Sequence, residues 1–263
     1  MKIDIICSKK DEASKNIHEH LLLVLKSHSE NQVGEHKVKL HLMEKESIYM
    51  ENIDKELGCD MIIFATKHVS KSGIHSLSVH TQGNWGSADY GGVKRDLGIS
   101  PACWLKEGLR LLEKKSADLH YEAIQECTHH GPQLSTPSFF IEIGSSLKEW
   151  QNKNTGKIIA NTIMELLEMK IPSYKTAVGI GGLHHTPSFK KIVLNTNIAI
   201  GHVCPKYNLH ALDEKMLMQA LEKTEPKANL VLVDWKGLGE HKEKVLELLK
   251  KVSVEWKKTK EII

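Results

Sequence analysis

The sequence predicts an α/β fold with a mixed, largely parallel sheet and helices on both faces. Two observations support this prediction. Short apolar runs such as 61–65 and 230–233 alternate with stretches of helical periodicity from residue 60 onward. The chain has 263 residues, 40% hydrophobic and 26% charged, which is the composition of a globular protein with a substantial core. We expect a single domain over 1–263 with an elaborated glycine-rich loop region around 70–98, although two small domains also fit this length.

The individual elements follow from periodicity and from capping signals at helix ends. Strands are predicted at 2–7, 37–42, 61–65, 76–80, 119–127, 138–143, 176–180, 198–203 and 230–233. Helices are predicted at 11–27, at about 146–170, at 213–221 and 240–252, from Ser100-Pro101 onward and from about 186–188 onward. Ser100 is suited to be an N-cap with Pro101 at the first helical position, and Asp213 is suited to cap the helix that follows it.

Charge and cysteine content restrict the class of protein. The formal net charge of +3 is too small to indicate nucleic-acid binding by itself, and only Arg95 and Arg110 are arginines, so phosphate contacts would fall to lysines. Five cysteines without a CxxC pair argue against a disulfide framework and fit a reducing cytoplasm. No signal peptide or apolar stretch of about 18 residues is found, so no membrane span is expected. A monomer is the expected state.

Sixteen histidines are the most informative feature of the composition. Several follow predicted strands closely, and the carboxyl ends of parallel strands meet at one edge of a sheet, where α/β proteins bind ligands. For any single histidine a structural role is equally expected, but the joint placement of five segments favours a functional site. These segments contain His68, His80, His129-His130, His184-His185 and His202.

Two chemistries suit a histidine cluster. Neutral imidazoles bind Zn²⁺, with a carboxylate such as Glu122 or Glu142 as a candidate further ligand, and zinc-bound water attacks esters and amides. No HExxH spacing occurs, so the sequence signal for metal is weak. Alternatively, a histidine acts as general base on water while backbone N–H groups hold the oxyanion. No GxSxG elbow, P-loop or GxGxxG motif occurs, which disfavours a serine nucleophile and nucleotide-binding folds.

Five motifs occur in a fixed order along the chain. They are Thr66-Lys67-His68-Val69-Ser70-Lys71-Ser72-Gly73, Ser78-Val79-His80-Thr81-Gln82-Gly83-Asn84, Thr128-His129-His130-Gly131-Pro132, Gly181-Gly182-Leu183-His184 and Gly201-His202-Val203-Cys204-Pro205-Lys206-Tyr207. With these motifs the sequence resembles a known family, the archaeal and plant type of D-aminoacyl-tRNA deacylase. The resemblance covers essentially the whole chain. His185 stands where the family usually has Tyr, and Cys127 stands where it usually has Ala.

The resemblance implies hydrolysis of the ester that joins a D-amino acid to the 3′ end of tRNA, dependence on Zn²⁺, and a fold similar to phosphorylases and peptidyl-tRNA hydrolases. The expected catalytic residues are His80, His129, His130 and Lys71. The expected metal ligands are His68, His184, His202 and Glu142. The residues expected to contact the acceptor end of the tRNA are Lys94, Arg95, Lys190, Lys191 and Lys206. The alternatives are a small-molecule hydrolase or phosphorylase-like enzyme that uses the same histidines, and a non-catalytic metal- or tRNA-binding protein.

Overall fold

The computed structural model describes residues 1–28, 31–70 and 73–263. The strands are β1 (Lys2–Ser8), β2 (Gln32–Val33), β3 (His36–Met43), β4 (Met61–Val69), β5 (Ser76–His80), β6 (Gly83–Asn84), β7 (Asp96–Leu97), β8 (Ser100–Pro101), β9 (Glu122–Gln125), β10 (Ser138–Ser145), β11 (Lys175–Ile180), β12 (Ile198–Cys204), β13 (Thr224–Glu225), β14 (Leu230–Val233) and β15 (Glu255–Lys258). The α-helices are α1 (Glu12–Leu25), α2 (Ile53–Leu57), α3 (Ala102–Ser116), α4 (Leu147–Trp150), α5 (Lys153–Glu168), α6 (Pro187–Asn195), α7 (Glu214–Glu222) and α8 (Lys242–Val252).

The larger strands form two sheets. The first has seven strands in the order β2-β3-β1-β4-β10-β5-β9, in which β3, β1, β4 and β10 run parallel and β5 pairs antiparallel with β10. The second has four parallel strands in the order β12-β11-β14-β15. The predicted mixed, largely parallel α/β architecture is therefore confirmed, although it is divided between two sheets.

Helices pack on the two sheets because every second residue of a strand places an apolar side chain on the face that the helices contact. Ile63, Val79 and Ile141 of the first sheet pack with apolar residues of α1, α3 and α5 in a cluster that also includes Ile200 and Leu232 of the second sheet. Residues of α7 and α8 cover the opposite face of the second sheet, in another cluster. The continuous cluster across both sheets is compatible with the single domain predicted over 1–263, which stays a prediction.

The other face of the first sheet changes character along its strands. Near the start of β4 and β10, Ile62, Phe64 and Phe140 pack against Met50 and Leu134 in a smaller apolar cluster. Further along the same strands, the side chains on this face are Thr66, His68 and Glu142, which are also buried. These polar side chains border a cavity.

Two helix predictions are wrong, one at the start of a helix and one in the continuity of a long helix. Ser100 does not cap α3, because its backbone pairs with β13 and its hydroxyl accepts a hydrogen bond from Thr81 Oγ1 at 2.7 Å; Pro101 occupies the N-cap position instead. The predicted helix over about 146–170 is broken into α4 and α5, since Asn152 is extended and caps α5 through Asn154 N–H. By contrast, Asp213 caps α7 as predicted, accepting from Met216 N–H at 3.0 Å.

No helix in the described part of the chain is both long and apolar enough to cross a bilayer.

Candidate active site at the junction of the two sheets

A cavity of about 800 Å³ opens on the polar face of the first sheet. Its floor includes His68 and Glu142, and the two histidines of the Thr128-His129-His130 turn form one wall. The volume lies in the range that encloses a small ligand rather than a macromolecule. The other lining residues are Asp11, Glu46, Ser47, Ile48, Tyr49, Thr66, Lys67, Val69, Asn84, Ser87, Asp89, Tyr90, His184, Tyr207 and Asn208.

Strand register explains how His68, His80 and Glu142 come together. Glu142 on β10 lies opposite Thr66 on β4, and His68 is two residues further along β4, on the same face. On the antiparallel neighbour β5, His80 lies opposite Phe140, two residues before Glu142. The predicted convergence therefore occurs on the face of a mixed sheet. The expectation that it occurs at the carboxyl edge of parallel strands is wrong, because β5 runs in the opposite direction.

Three histidines form the first group of candidate ligands. His80, His129 and His130 each offer one ligand atom within 4.8 Å of the others, and the ring centroids of His80 and His129 are 4.3 Å apart. The Nδ1 atoms lie 3.2, 2.9 and 2.6 Å from the backbone oxygens of Thr81, Cys127 and Gly131 respectively. A carbonyl oxygen only accepts hydrogen bonds, so each Nδ1 donates, and an imidazole that is neutral in this tautomer has its lone pair on Nε2.

Burial and the surrounding imidazoles keep two of these rings neutral. Burial and the neighbouring His80 lower the pKa of His130 to about 3. The same two causes hold the pKa of His129 well below its usual range. A neutral imidazole with a free Nε2 lone pair can bind a metal ion or accept a proton from water.

Glu126 is the centre of the second group and was missed by the sequence analysis. This residue directly follows β9 and is buried. Its Oε2 accepts from His184 Nε2 at 2.8 Å and from His68 Nδ1 at 3.0 Å, and it lies 3.8 Å from His129 Nε2. The available signal was its position three residues before His129, in a stretch otherwise predicted as a strand.

The charges in this group stabilise one another. Burial raises the pKa of Glu126, but His68 and His184 outweigh this effect and hold the pKa of the carboxyl well below its usual range. Burial lowers the pKa of His68, while Glu126 and Glu142 raise it, with a net increase. The pocket therefore contains an ion-paired half around Glu126 beside a half of neutral imidazoles.

Glu142 lies between the two halves. Its Oε1 accepts from Thr66 Oγ1 at 2.7 Å, which fixes the carboxylate, and its Oε2 lies 3.7 Å from both His68 Nδ1 and His80 Nε2. The structure therefore brings Glu142 together with His68, as the sequence predicted, and places His184 beside them through Glu126. Glu122, the other carboxylate considered, is exposed at the start of β9.

His202 lies apart from this arrangement. It is buried, its Nδ1 is 3.2 Å from Thr128 Oγ1, and it belongs to none of the candidate ligand groups found among the described residues. Burial lowers the pKa of His202 to about 3, so it is neutral. Thr128 Oγ1 also accepts from Val203 N–H at 3.1 Å. The contacts of His202 thus support the histidine turn rather than a metal centre. The predicted catalytic Lys71 lies outside the described residues.

Both departures from the family pattern fall within the site. Cys127 Sγ lies 3.3 Å from His184 Nδ1 and 3.2 Å from Tyr207 OH, and that hydroxyl is 3.1 Å from His184 Nδ1. The ring of His185 lies 5.5 Å from the ring of His68. These two residues therefore modify the surroundings of His184 and His68 directly.

The residues expected to contact tRNA occupy different environments. Lys94, Lys191 and Lys206 are exposed. Lys190 is ion-paired with Glu113 at 2.9 Å. Arg95 is half-buried and donates to Ala211 O at 2.7 Å and to Asp213 Oδ2 at 2.6 Å, so its guanidinium joins the glycine-rich loop to the start of α7. Contact of these residues with tRNA stays a prediction.

The donor atoms present fit a zinc ion. His68, Glu126 and Glu142 place one ligand atom each within 4.8 Å of the others, as do His80, His129 and His130. Glu126 Oε1, His68 Nε2 and His80 Nε2 are buried and have no hydrogen-bond partner within the described part of the chain. Buried polar atoms are normally paired, so these three are suited to a ligand. Imidazole and carboxylate donors are the ligands that zinc uses in catalytic sites.

Carboxylates and imidazoles that converge on a small cavity are typical of hydrolytic active sites, and this is the class that the site belongs to. Comparison with known proteins narrows this class. The family model described as D-aminoacyl-tRNA deacylase matches residues 55–257. The chain belongs to the D-aminoacyl-tRNA deacylase family.

Individual relatives agree with this assignment. The chain is 37% identical to the D-aminoacyl-tRNA deacylase of Thermococcus kodakarensis over 241 residues, covering 85% of this chain and 87% of the relative. It is 37% identical to that of Methanosarcina mazei over 243 residues, covering 85% and 81%. A solved structure titled as a conserved protein of unknown function, AF0625, matches with a TM-score of 0.89 and 31% identity over 100% of this chain and 96% of the other. That likeness supports the same overall fold.

Proposed function

We propose that this protein hydrolyses the ester bond of D-aminoacyl-tRNA and releases a free D-amino acid and tRNA. The observation that carries the proposal is the contact of the buried Glu126 with His68 and His184, which line a cavity of small-ligand size together with the neutral imidazoles of the histidine turn. Membership of the deacylase family supplies the substrate class. A cytoplasmic location and a monomeric state stay predictions.

Different residues of the chain have different roles in ester hydrolysis. Glu126 accepts hydrogen bonds from His68 and His184 and thereby fixes both rings. His129 Nε2 keeps a lone pair that faces this group, and this nitrogen is suited to take a proton from an attacking water. An aminoacyl ester is already activated, so a positioned water and a base are sufficient for a useful rate.

A zinc ion also fits this proposal. His68, Glu126 and Glu142 would hold the ion, and His184 would orient Glu126 from outside. When bound, zinc polarises an ester carbonyl and lowers the pKa of coordinated water. His80 and His130 complete a second set of nitrogen donors around His129.

A deacylation assay on matched D- and L-tyrosyl-tRNA tests the proposal. We expect release of D-tyrosine, an intact L-ester, loss of turnover after chelation and recovery after addition of zinc. Free D-tyrosine methyl ester tests the small-molecule alternative, which predicts turnover that tRNA does not inhibit. Equal hydrolysis of the two tRNA esters, or of neither, contradicts the proposed function. Full activity in metal-free protein contradicts only the role of zinc.

A further inference from the structure

Three exposed tyrosines line the cavity. The hydroxyl of Tyr207 contacts Cys127 and His184 inside the site, whereas Tyr90 and Tyr49 lie at the mouth. Tyr90 is 66% exposed and Tyr49 is 39% exposed, and both line the cavity. Within the described residues, neither ring stacks on another aromatic side chain. Exposed aromatic rings beside a polar site are suited to stack on a planar ligand.

The backbone that carries Tyr90 is fixed in place, although its side chain is exposed. Tyr90 O accepts from Gly131 N–H at 2.9 Å, and Asn84 Nδ2 donates to Gly91 O at 2.9 Å. Glu51 joins the same loop to the loop after the histidine turn, accepting from Gly92 N–H at 2.6 Å and from Gln133 N–H at 2.5 Å. A free surface loop does not need such anchoring, whereas a binding platform does.

Close packing also sets the position of this loop relative to Tyr49. Gly91 has φ +73°, and a Cβ there would lie 1.9 Å from Ile48 O and 3.3 Å from Tyr49 Cδ1. The loop that carries Tyr90 therefore lies directly against the segment that carries Tyr49. The hydrogen bond from Gly131 connects Tyr90 to the turn that holds His129 and His130. The backbone at Tyr90 is thus connected both to the segment that carries Tyr49 and to the turn that holds the two histidines.

The connectivity of the substrate determines which part reaches the mouth. The ester carbon must lie near His68 and His129, which line the cavity, and the tRNA is far larger than a cavity of about 800 Å³. The polynucleotide must therefore leave through the mouth, and the nucleoside that bears the ester must pass the rim. The amino-acid side chain lies on the other side of the ester, away from this exit.

We propose that Tyr90, with Tyr49 beside it, stacks on the terminal adenine base of the tRNA and so positions the ester over the histidine cluster. This inference rests on the proposed function, because it takes D-aminoacyl-tRNA as the substrate. Stacking of a base on an aromatic ring tolerates loss of the phenol hydroxyl but not loss of the ring. Tyr90 is therefore a substrate-binding residue whose ring matters more than its hydroxyl.

The test compares Tyr90→Leu, Tyr90→Phe and the wild type on D-tyrosyl-tRNA and on D-tyrosine methyl ester, which lacks the base. We expect Tyr90→Leu to raise KM for the tRNA by about ten- to a hundredfold with little change in kcat, and Tyr90→Phe to resemble the wild type. Turnover of the methyl ester should be unaltered. Val93→Ala is the matched control, because Val93 is half exposed nearby but does not line the cavity.

Direct binding of adenosine monophosphate provides a second measurement that needs no hydrolysis. Calorimetry should show weaker binding to Tyr90→Leu than to the wild type or to Val93→Ala, by a factor similar to the change in KM. An unchanged affinity and an unchanged KM overturn the inference. An equal effect on the methyl ester also overturns it, since Tyr90 would then contact the amino acid. A wild type that hydrolyses no aminoacyl-tRNA contradicts the proposed function, while the nucleotide comparison still decides whether Tyr90 binds adenine.

Discussion

Glu126 Oε2 lies 2.8 Å from His184 Nε2, and this contact connects the two sheets of the molecule. Glu126 follows β9 at the edge of the first sheet, and His184 follows β11 of the second. Backbone hydrogen bonds reinforce the same junction, because Cys127 N–H donates to His184 O at 2.9 Å and Thr128 N–H donates to Val203 O at 3.1 Å. The candidate active site therefore depends on the relative position of the sheets.

Replacing Glu126 with Gln tests the central role of its carboxylate. Glu126→Gln keeps the shape but removes the charge that pairs with His68 and His184. We expect kcat to fall by about a hundredfold or more, since positioned acid–base groups contribute on this scale. Removing one partner of a buried charge pair also destabilises a protein by about 3–5 kcal/mol, so the free energy of unfolding should fall.

Glu122→Gln is the matched control, because Glu122 is exposed at the start of β9, the strand that Glu126 directly follows. It should leave both kcat and stability close to those of the wild type. Circular dichroism of each variant separates unfolding from a catalytic defect. A folded Glu126→Gln protein with normal kcat would show that the carboxylate has no part in hydrolysis.

Zinc content distinguishes ligands from supporting histidines. We expect His68→Asn to lose bound zinc, because His68 shares a ligand group with Glu126 and Glu142. We expect His202→Asn to keep zinc but to unfold at lower denaturant concentration, because His202 is buried against Thr128. Elemental analysis of the purified proteins gives the metal content directly.

His120→Asn serves as the control for histidine replacement, since His120 is exposed. It should match the wild type in zinc content and stability. Loss of zinc from folded His202→Asn would restore His202 as a ligand. Equal zinc in His68→Asn and the wild type would remove His68 from the metal centre.

The histidine segments could be predicted from the sequence because each follows or ends an apolar strand. The strand order and direction could not, and they decide where the segments meet. The position of His202 could not be predicted from the periodicity of the sequence. β12 advances three residues from Ile200 to Val203 while β11 advances two from Ala177 to Gly179, so β12 is bulged there. A one-residue change of register turns a side chain to the other face, and periodicity alone does not reveal it.

Glu126 could not be identified for a different reason. A single glutamate in a predicted strand has the sequence signature of a surface residue, as Glu122 in the same strand is. Only the junction of β9 with the second sheet buries it beside His184. A set of ligands that comes from both sheets has no fixed spacing along the chain. The family resemblance identified the substrate class, but it did not distinguish these two carboxylates.

Two adjacent basic residues, Lys94 and Arg95, allow contact with tRNA phosphate to be distinguished from a structural role. Lys94 is exposed, whereas Arg95 is bound to Ala211 O and Asp213. If Lys94 contacts an acceptor-stem phosphate, Lys94→Ala should reduce the slope of log KM against log salt by about 1. Arg95→Ala should instead lower the free energy of unfolding and change the salt slope less. Steady-state kinetics at several salt concentrations and denaturant unfolding provide the two measurements.

A matched pair of glycines tests whether the loop that carries Tyr90 is held by close packing. Gly91 and Gly58 both have positive φ, at +73° and +62°, so alanine is strained at each position by about 1–2 kcal/mol. A Cβ at Gly58 meets nothing within 4 Å, whereas a Cβ at Gly91 would lie 1.9 Å from Ile48 O. Gly91→Ala must therefore move the backbone as well.

We expect Gly58→Ala to lower the free energy of unfolding by about 1–2 kcal/mol without changing KM, since only conformational strain is added. Gly91→Ala should cost more than Gly58→Ala and should also raise KM for D-aminoacyl-tRNA, because displacement of the loop moves Tyr90 away from the mouth. Denaturant unfolding and steady-state kinetics on the same preparations measure both effects. Equal losses of stability with equal KM values would mean that the loop adjusts freely and that its contact with Ile48 does not hold Tyr90 in place.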